Sequence, residues 1–306
     1  MTAPVNSASP ARKSAKTLTW ERRRDAFRAN WRTFRSSPSG MLGLGILIAV
    51  SILAVCAPLI ADVSVLDPTR AEAAPNLAPS LTHPLGTDSL GRPIAALLIW
   101  GARTSLLVGL AATVMSMVIG TTIGVLAGHF HGWKSAVLMR VIDFFLVIPG
   151  LVLAIVLASI MGGSTLTIIL AIGLTSWAGT ARLIRAQTLT LESRGYVERS
   201  RALGAKHGHL VIKHILPGVL PLVMTSTSLS VGGAIIAEAT LAFLGINDGT
   251  HSWGTMLQLA MGSGAAVAGY WWFIVAPGAA ILIVVLAFTL VSRALEAVIN
   301  PTLRGR

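Results

Sequence analysis

Cysteine occurs once in the 306 residues, at Cys56, so neither an intrachain disulfide nor a cysteine-based metal cluster can form. Charge is scarce too: charged residues make up 12% of the chain against 54% hydrophobic, and the mean hydropathy is +0.74. A soluble domain carries about twice that charge, so this chain needs lipid around it. Acids are the scarcer sign, 12 against 24 basic residues, which leaves a formal charge of +12. In a soluble protein that excess would point to nucleic acid. Here the basic residues sit in short segments beside apolar runs, where they retain a segment on the cytoplasmic side during insertion, and no nucleic-acid partner is expected. Three chemical signatures are missing from the sequence. Without Gly-x-x-x-x-Gly-Lys-Ser/Thr, ATP is not bound here in the usual way, and without His-Glu-x-x-His or Gly-x-Ser-x-Gly there is no recognisable hydrolytic site. No internal repeat relates the two halves, which argues against an inverted-repeat secondary transporter.

What is present is a series of apolar runs: 41–61, 104–128, 137–161, 165–181, 218–245 and 272–291. Each meets or approaches the roughly 20 residues that a spanning helix needs. The predicted fold class is therefore all-α, a polytopic membrane helical bundle of about six transmembrane helices. The first run starts too late and is too long for a cleavable signal, and reads as a retained anchor. With the N-terminus cytoplasmic, 21 Lys and Arg fall on the cytoplasmic side and only Arg70, Arg92 and Arg103 on the other, which also places the C-terminus in the cytoplasm. Residues 1–40 form a basic tail. Met1–Lys16 is too polar to order alone, while Trp20, Phe27, Trp31 and Phe34 make one stripe of an interfacial helix, with Arg22, Arg28 and Arg32 off it, suited to anionic lipid. Residues 41–103 hold the first span and an external segment, and 104–306 the five-helix core with a cytoplasmic loop over 182–217. The two longer external segments, 62–100 and 246–270, are expected to shape a vestibule.

The loop 182–217 has more order than a topology signal needs. Tyr196, Ser200 and Leu203 share one helical face while Glu198, Arg199 and Arg201 point elsewhere, Gly204 suits a left-handed C-cap, and Pro217 marks the return to the membrane. A helix, a glycine stop and a restart suit a rigid surface that pushes on a partner. The stretch resembles the EAA loop of permease subunits of bacterial ABC importers, in which Glu-Ala-Ala is followed three residues later by Gly and then by Leu-Pro. Glu198, Gly204, Leu216 and Pro217 match, while Arg199 and Ser200 replace the two alanines. Further stretches are similar to the second permease subunit of the peptide and nickel importers: His83 to Arg92, Trp100 to Leu106, Trp177 to Gln187, Glu238 to Gly245 and Ser252-Trp-Gly254. The C-terminal stretch Val291 to Pro301 departs from the acidic ending common in that family.

The resemblance implies the ABC importer permease, MetI-like, architecture and a transport subunit that is not itself an enzyme. It implies a coupling helix, with Tyr196, Glu198, Arg199, Ser200, Ala202, Leu203 and Gly204 meeting an ATPase. It also implies a homologous second permease, two ATP-binding cassette subunits that hold ATP and Mg, and an extracytoplasmic substrate-binding protein, in the cytoplasmic (inner) membrane. Peptides are the implied solute, with nickel chelates, glutathione or another small solute as alternatives. No cofactor and no metal site is expected in this chain.

Two acids, Asp143 and Glu238, fall inside apolar runs, where an ionised carboxylate must face protein or water. Each is read as a structural group, Asp143 near the cytoplasmic end and Glu238 near the outer end. The competing view, a self-sufficient secondary transporter, would use them for proton coupling. Thr225, Ser226, Ser228 and Ser230 make the fifth run hydroxyl-rich, so they either line the translocation path or let helices approach closely. Gly120, Gly124 and Gly128 recur every four residues, a close-packing stripe. His207, His209 and His214 lack carboxylate or Cys partners at ligand spacing and read as solvent-facing or docking residues.

Overall fold

The structure, a computed structural model, describes residues 24, 25 and 28–299. The expected tail Met1–Lys16, and Trp20, Arg22 and Phe27 of the expected interfacial helix, lie outside the described residues. Residues 28–35 are helical (α1), with Phe34 buried and Trp31 stacked on it at 5.8 Å between ring centroids. α2 (Pro38–Val55) is capped by the Ser37 hydroxyl, which accepts the Gly40 N–H at 3.2 Å. Pro58 denies the chain a continuing helical N–H, and a short α3 (Ala57–Ile60) follows. The segment up to residue 93 contains two 3-10 turns, Val63–Leu66 and Pro68–Arg70.

α4 (Ile94–His129) has 36 residues. At 1.5 Å per residue it is about 54 Å long, well over the roughly 30 Å of hydrocarbon. α5 (Trp133–Val147) and α6 (Gly150–Met161) follow, bent by 86°. The cause is Pro149, which pushes the residue before it out of the helical region, and Ile148 is accordingly extended (φ −79°, ψ 128°). α7 (Thr165–Thr175) and α8 (Trp177–Glu192) form one span with a slight break at Ser176. α9 (Gly195–Ala202) and α10 (His207–Leu210) lead through a π-helical turn, Val211–Ile215, into α11 (Leu216–Phe243). α12 (Trp253–Gly262), α13 (Ala265–Ala268) and α14 (Trp271–Ile299) complete the bundle.

Five helical stretches are long and apolar enough to cross a membrane, and the bent α5–α6 pair makes a sixth if it is one span. Its neighbours show that it runs from one end of the bundle to the other. Just past the start of α5, the Lys134 ammonium lies 5.2 Å over the Phe130 ring, which is 5.6 Å from His207. Just past the end of α6, the Thr165 N–H meets Asp248 at 3.2 Å, and α11 separates His207 from Asp248. The expected six crossings therefore stand, with the third one kinked.

α4 lies at the centre, packed against α2, α7, α8 and α11. The glycine stripe is the reason it meets α8 so closely. A Cβ on Gly124 would sit 2.5 Å from the Ala181 carbonyl oxygen, and one on Gly128 2.6 Å from the Thr188 Cβ. The outer faces of α2, α5, α6 and α14 leave large apolar side chains exposed, among them Ile52, Phe144, Ile160 and Leu282. Such a surface is covered by lipid or by neighbouring subunits.

Candidate functional site

The loop end of the bundle carries an ordered charged structure. α8 continues as helix to Glu192, so the first part of the expected loop 182–217 is helical. Arg182 to Glu192 contains no Gly or Pro to stop the helix, and the connection proper runs only from Ser193 to the end of the π-helical turn at Ile215. α9 ends in a Schellman motif: the Gly204 N–H donates to the Arg201 carbonyl (3.0 Å) and the Ala205 N–H to the Ser200 carbonyl (3.1 Å). Gly204 has φ +86°, a conformation that a side chain would strain. Beyond it the expected restart at Pro217 is not a break. α10 winds on into α11, and the π-helical turn, closed by the Leu216 N–H on the Val211 carbonyl, accommodates Pro217 in the first turn of α11.

α9 turns the face shared by Tyr196, Ser200 and Leu203 mostly outward. Val197 is its buried residue, with Ser200 half-buried, whereas Tyr196 and Leu203 are 49% and 83% exposed. The helix is short and polar, and the Arg201 to Glu192 contact ties it to the bundle. Glu198, Arg199, Ala202 and Gly204 are exposed. Tyr196 packs on His214 and His214 on His209, each at 5.8 Å between centroids, an aromatic patch beside the helix.

Under α9 lies a network that sequence reading missed. Glu192 closes α8 and is 7% exposed. One of its carboxylate oxygens accepts from Nδ1 of His129, the last residue of α4, and the other from the Arg201 guanidinium. His129 is itself buried, and its Nε2 lies 2.9 Å from Nδ1 of His207 on α10. An ionised carboxylate only accepts, so Nδ1 of His129 is a donor and the ring's other nitrogen is free to pair with His207. The four side chains tie the ends of α4 and α8 to both short helices of the loop. Their positions lie 63 and 78 residues apart for the two His129 contacts, and no local spacing signals them.

The two intramembrane acids both have partners. Asp143 on α5 pairs with Arg182 on α8, a basic partner that was not evident from the sequence. Glu238 on α11 is 2% exposed and accepts from the Ser105 hydroxyl of α4 at 2.9 Å, with Ser252 as a second hydrogen-bonding neighbour. Ser105 in turn accepts the Trp253 N–H at 3.3 Å, so these contacts join α4, α11 and α12 at the far end. The hydroxyl-rich stretch is not brought to one surface. Thr225 is buried and donates to the Leu222 carbonyl, while its own carbonyl accepts from Ser292 of α14. Ser226 and Ser228 are half-buried, and Ser230 lines a cavity between α4, α7 and α11.

At the far end the two long segments meet. Arg92, Gly249 and His251 share a cavity with Val63, Leu66 and Asp67. Arg92 belongs to a buried ion pair: Asp88 holds it through Nε at 2.8 Å and Nη2 at 2.7 Å, and Arg92 Nη1 donates to the Leu66 carbonyl at 3.1 Å. Burial and then the Arg92 charge hold the half-buried His251 below its ordinary pKa, with Asp88 opposing them.

Residues 120–305 match the family model described as binding-protein-dependent transport system inner membrane component, and residues 26–79 the N-terminal TM domain of oligopeptide transport permease C. The chain is similar to the glutathione transport system permease protein GsiD of Pectobacterium atrosepticum, 37% identical over 75% of this chain and 76% of the relative. It is 34% identical to the dipeptide transport system permease protein DppC of Bacillus subtilis, over 90% of this chain and 85% of that one. The oligopeptide transport system permease protein OppC of the same organism is also 34% identical, over 89% and 88%.

Proposed function

This chain belongs to the family of binding-protein-dependent transport system inner membrane components, and from that premise we propose that it is one of two permeases of an ATP-driven peptide importer. The observation that carries the coupling part is α9: its outer side, with Tyr196, Glu198, Leu203 and Gly204, is exposed, while its inner side is tied to the ends of α4 and α8. A helix held that way transmits a push instead of absorbing it. The solute class rests on the relatives named for dipeptide and oligopeptide transport. Glutathione, named for another, is itself a peptide.

In this reading the loop end faces the cytoplasm, where 21 of the 24 basic residues lie once six crossings are drawn. Residues 1–40 are the cytoplasmic basic tail, 41–103 an added span and external segment, and 104–306 the core that pairs with a similar second permease. Two partner subunits bind ATP and Mg and dock on α9, and an extracytoplasmic binding protein delivers peptide to the far end. Closure of the ATPases moves α9 and α10, the network passes the motion to α4 and α8, and the bundle changes the side to which it opens.

The test is uptake by the full transporter in proteoliposomes with its binding protein. Glu198→Ala and Gly204→Val are expected to leave insertion intact and to cut peptide uptake per ATP hydrolysed about tenfold or more, as losing one or two interface contacts does. Unchanged coupling in both variants would show that α9 is not the element that meets the ATPase. This chain alone, with a proton gradient and no ATPase, is expected to move nothing. Uptake under those conditions would instead establish a self-sufficient transporter built on Asp143 and Glu238.

A further inference from the structure

A hydroxyl on a membrane helix ordinarily satisfies itself by donating to a carbonyl one turn back. Thr175, Thr227, Thr240 and Thr289 do so, at 2.7 to 2.9 Å from the carbonyls of Ala171, Val223, Ile236 and Val285. Thr113 and Ser116 on α4 do not. They are 2% and 3% exposed, and neither hydroxyl has a hydrogen-bond partner among the described residues. Buried polar groups in that condition are uncommon and call for an explanation.

Both residues line one cavity of about 280 Å³ in the interior of the bundle. Ser176, at the break between α7 and α8, and Ser230 and Gly233, on α11, complete its polar and open side. Ser176 and Gly233 are exposed and Ser230 is half-buried, so the cavity opens onto the bundle surface. Among the described residues its lining includes four hydroxyls and no charged side chain.

A hydroxyl can both donate and accept, and a peptide group presents one N–H and one C=O. The lining therefore matches a neutral amide better than a carboxylate or an ammonium group, either of which would call for an opposite charge. The volume, about 280 Å³, lies at the lower edge of the roughly 300–1,000 Å³ of pockets that enclose whole ligands, and with the cavity open to the bundle surface one unit of a chain fits while the rest stays outside. Weak, uncharged contacts also suit transit, in which a site must release what it binds.

We propose that the cavity lined by Thr113, Ser116, Ser176 and Ser230 is a transient hydrogen-bonding station for the backbone amides of the transported peptide. The inference rests on the peptide-importer reading and places a solute contact inside this chain. Ser230 belongs to the hydroxyl-rich stretch of α11, whereas Thr113 and Ser116 come from a different helix and are joined to it only by the fold.

The experiment uses the complete transporter and its binding protein in proteoliposomes, with labelled di-alanine and tetra-alanine as probes. The paired change Thr113→Val with Ser116→Ala keeps shape and removes both hydroxyls. Uptake is expected to fall about tenfold, the equivalent of one or two lost hydrogen bonds. In a Cys56→Ser background, a Ser230→Cys variant should react with a small methanethiosulfonate, and either peptide should slow that reaction during turnover. No ATP-dependent uptake of either peptide by the wild type would overturn the importer reading and the station with it. Wild-type uptake that survives the paired change within about twofold would overturn the station alone. So would a Ser230→Cys labelling rate that peptide leaves unmoved, and this measurement decides the matter if the paired variant assembles poorly.

Discussion

The two ends of the bundle each bury charge, but they organise it differently. At the far end Asp88 and Arg92 are four residues apart and close on each other within one turn, where Asp88 also accepts the Leu90 and Arg92 N–H groups at 2.9 and 2.8 Å. That cluster braces a local structure. At the loop end the network of His129, Glu192, Arg201 and His207 joins four separate helices, and one member, Arg201, is half-exposed. A closed local pair stabilises the segment that contains it, whereas a network strung between elements makes them move together. Burial of a carboxylate therefore does not by itself reveal whether it serves stability or transmission. What decides is whether its charged partners come from one element or from several.

The largest effect is expected from breaking the local pair. Asp88→Ala leaves the Arg92 guanidinium buried without a counter-charge, a loss of about 3–5 kcal/mol. The purified protein should lose its monodisperse form at a clearly lower temperature on heating in detergent. A midpoint within a few degrees of wild type would mean that the far end is held by something other than this pair. A smaller loss of stability and a larger loss of function should follow Glu192→Leu. Arg201 can return to water, and the buried His129 ring loses one partner, a cost of about 1–3 kcal/mol. The protein should still assemble with its ATPases, with uptake per ATP hydrolysed reduced several-fold. Normal coupling in that variant would reduce the network to a local brace like the one at Asp88, and the contrast between the two ends would disappear.

The parts of this fold that hydropathy governs were legible in the sequence. Six apolar runs, their turns and the glycine stripe of α4 translate into spans and into the α4–α8 contact, because length and small-residue spacing are local properties. The bend at Ile148–Pro149 was within reach of the same reading, since a proline constrains its predecessor. The extension of α8 to Glu192 was obscured by charge, which signals topology without ending a helix. The buried side of α9 was not legible: among its eight residues only Val197 turns inward, and the Arg201 to Glu192 contact ties the helix to the bundle. His129 and His207, and Thr113 and Ser116, acquire their significance only when helices far apart in sequence are packed together.

The smallest effect is expected at Glu238, which bears most directly on the contrast between the ends. This carboxylate is as buried as Glu192, yet its hydrogen-bonding neighbours are the neutral hydroxyls of Ser105 and Ser252, and no cation pairs with it among the described residues. An amide keeps a carbonyl oxygen for the Ser105 hydroxyl, and a hydroxyl can rotate to accept from the new NH₂ group. Glu238→Gln should therefore cost less than about 1 kcal/mol and leave ATP-driven uptake close to wild type, in contrast to Glu192, whose role depends on a charged partner. If Glu238→Gln abolished uptake while the protein stayed assembled, the proton on this group would be part of the transport cycle. The far end would then hold a working carboxylate rather than a structural one, and the division of labour between the two ends would have to be drawn again.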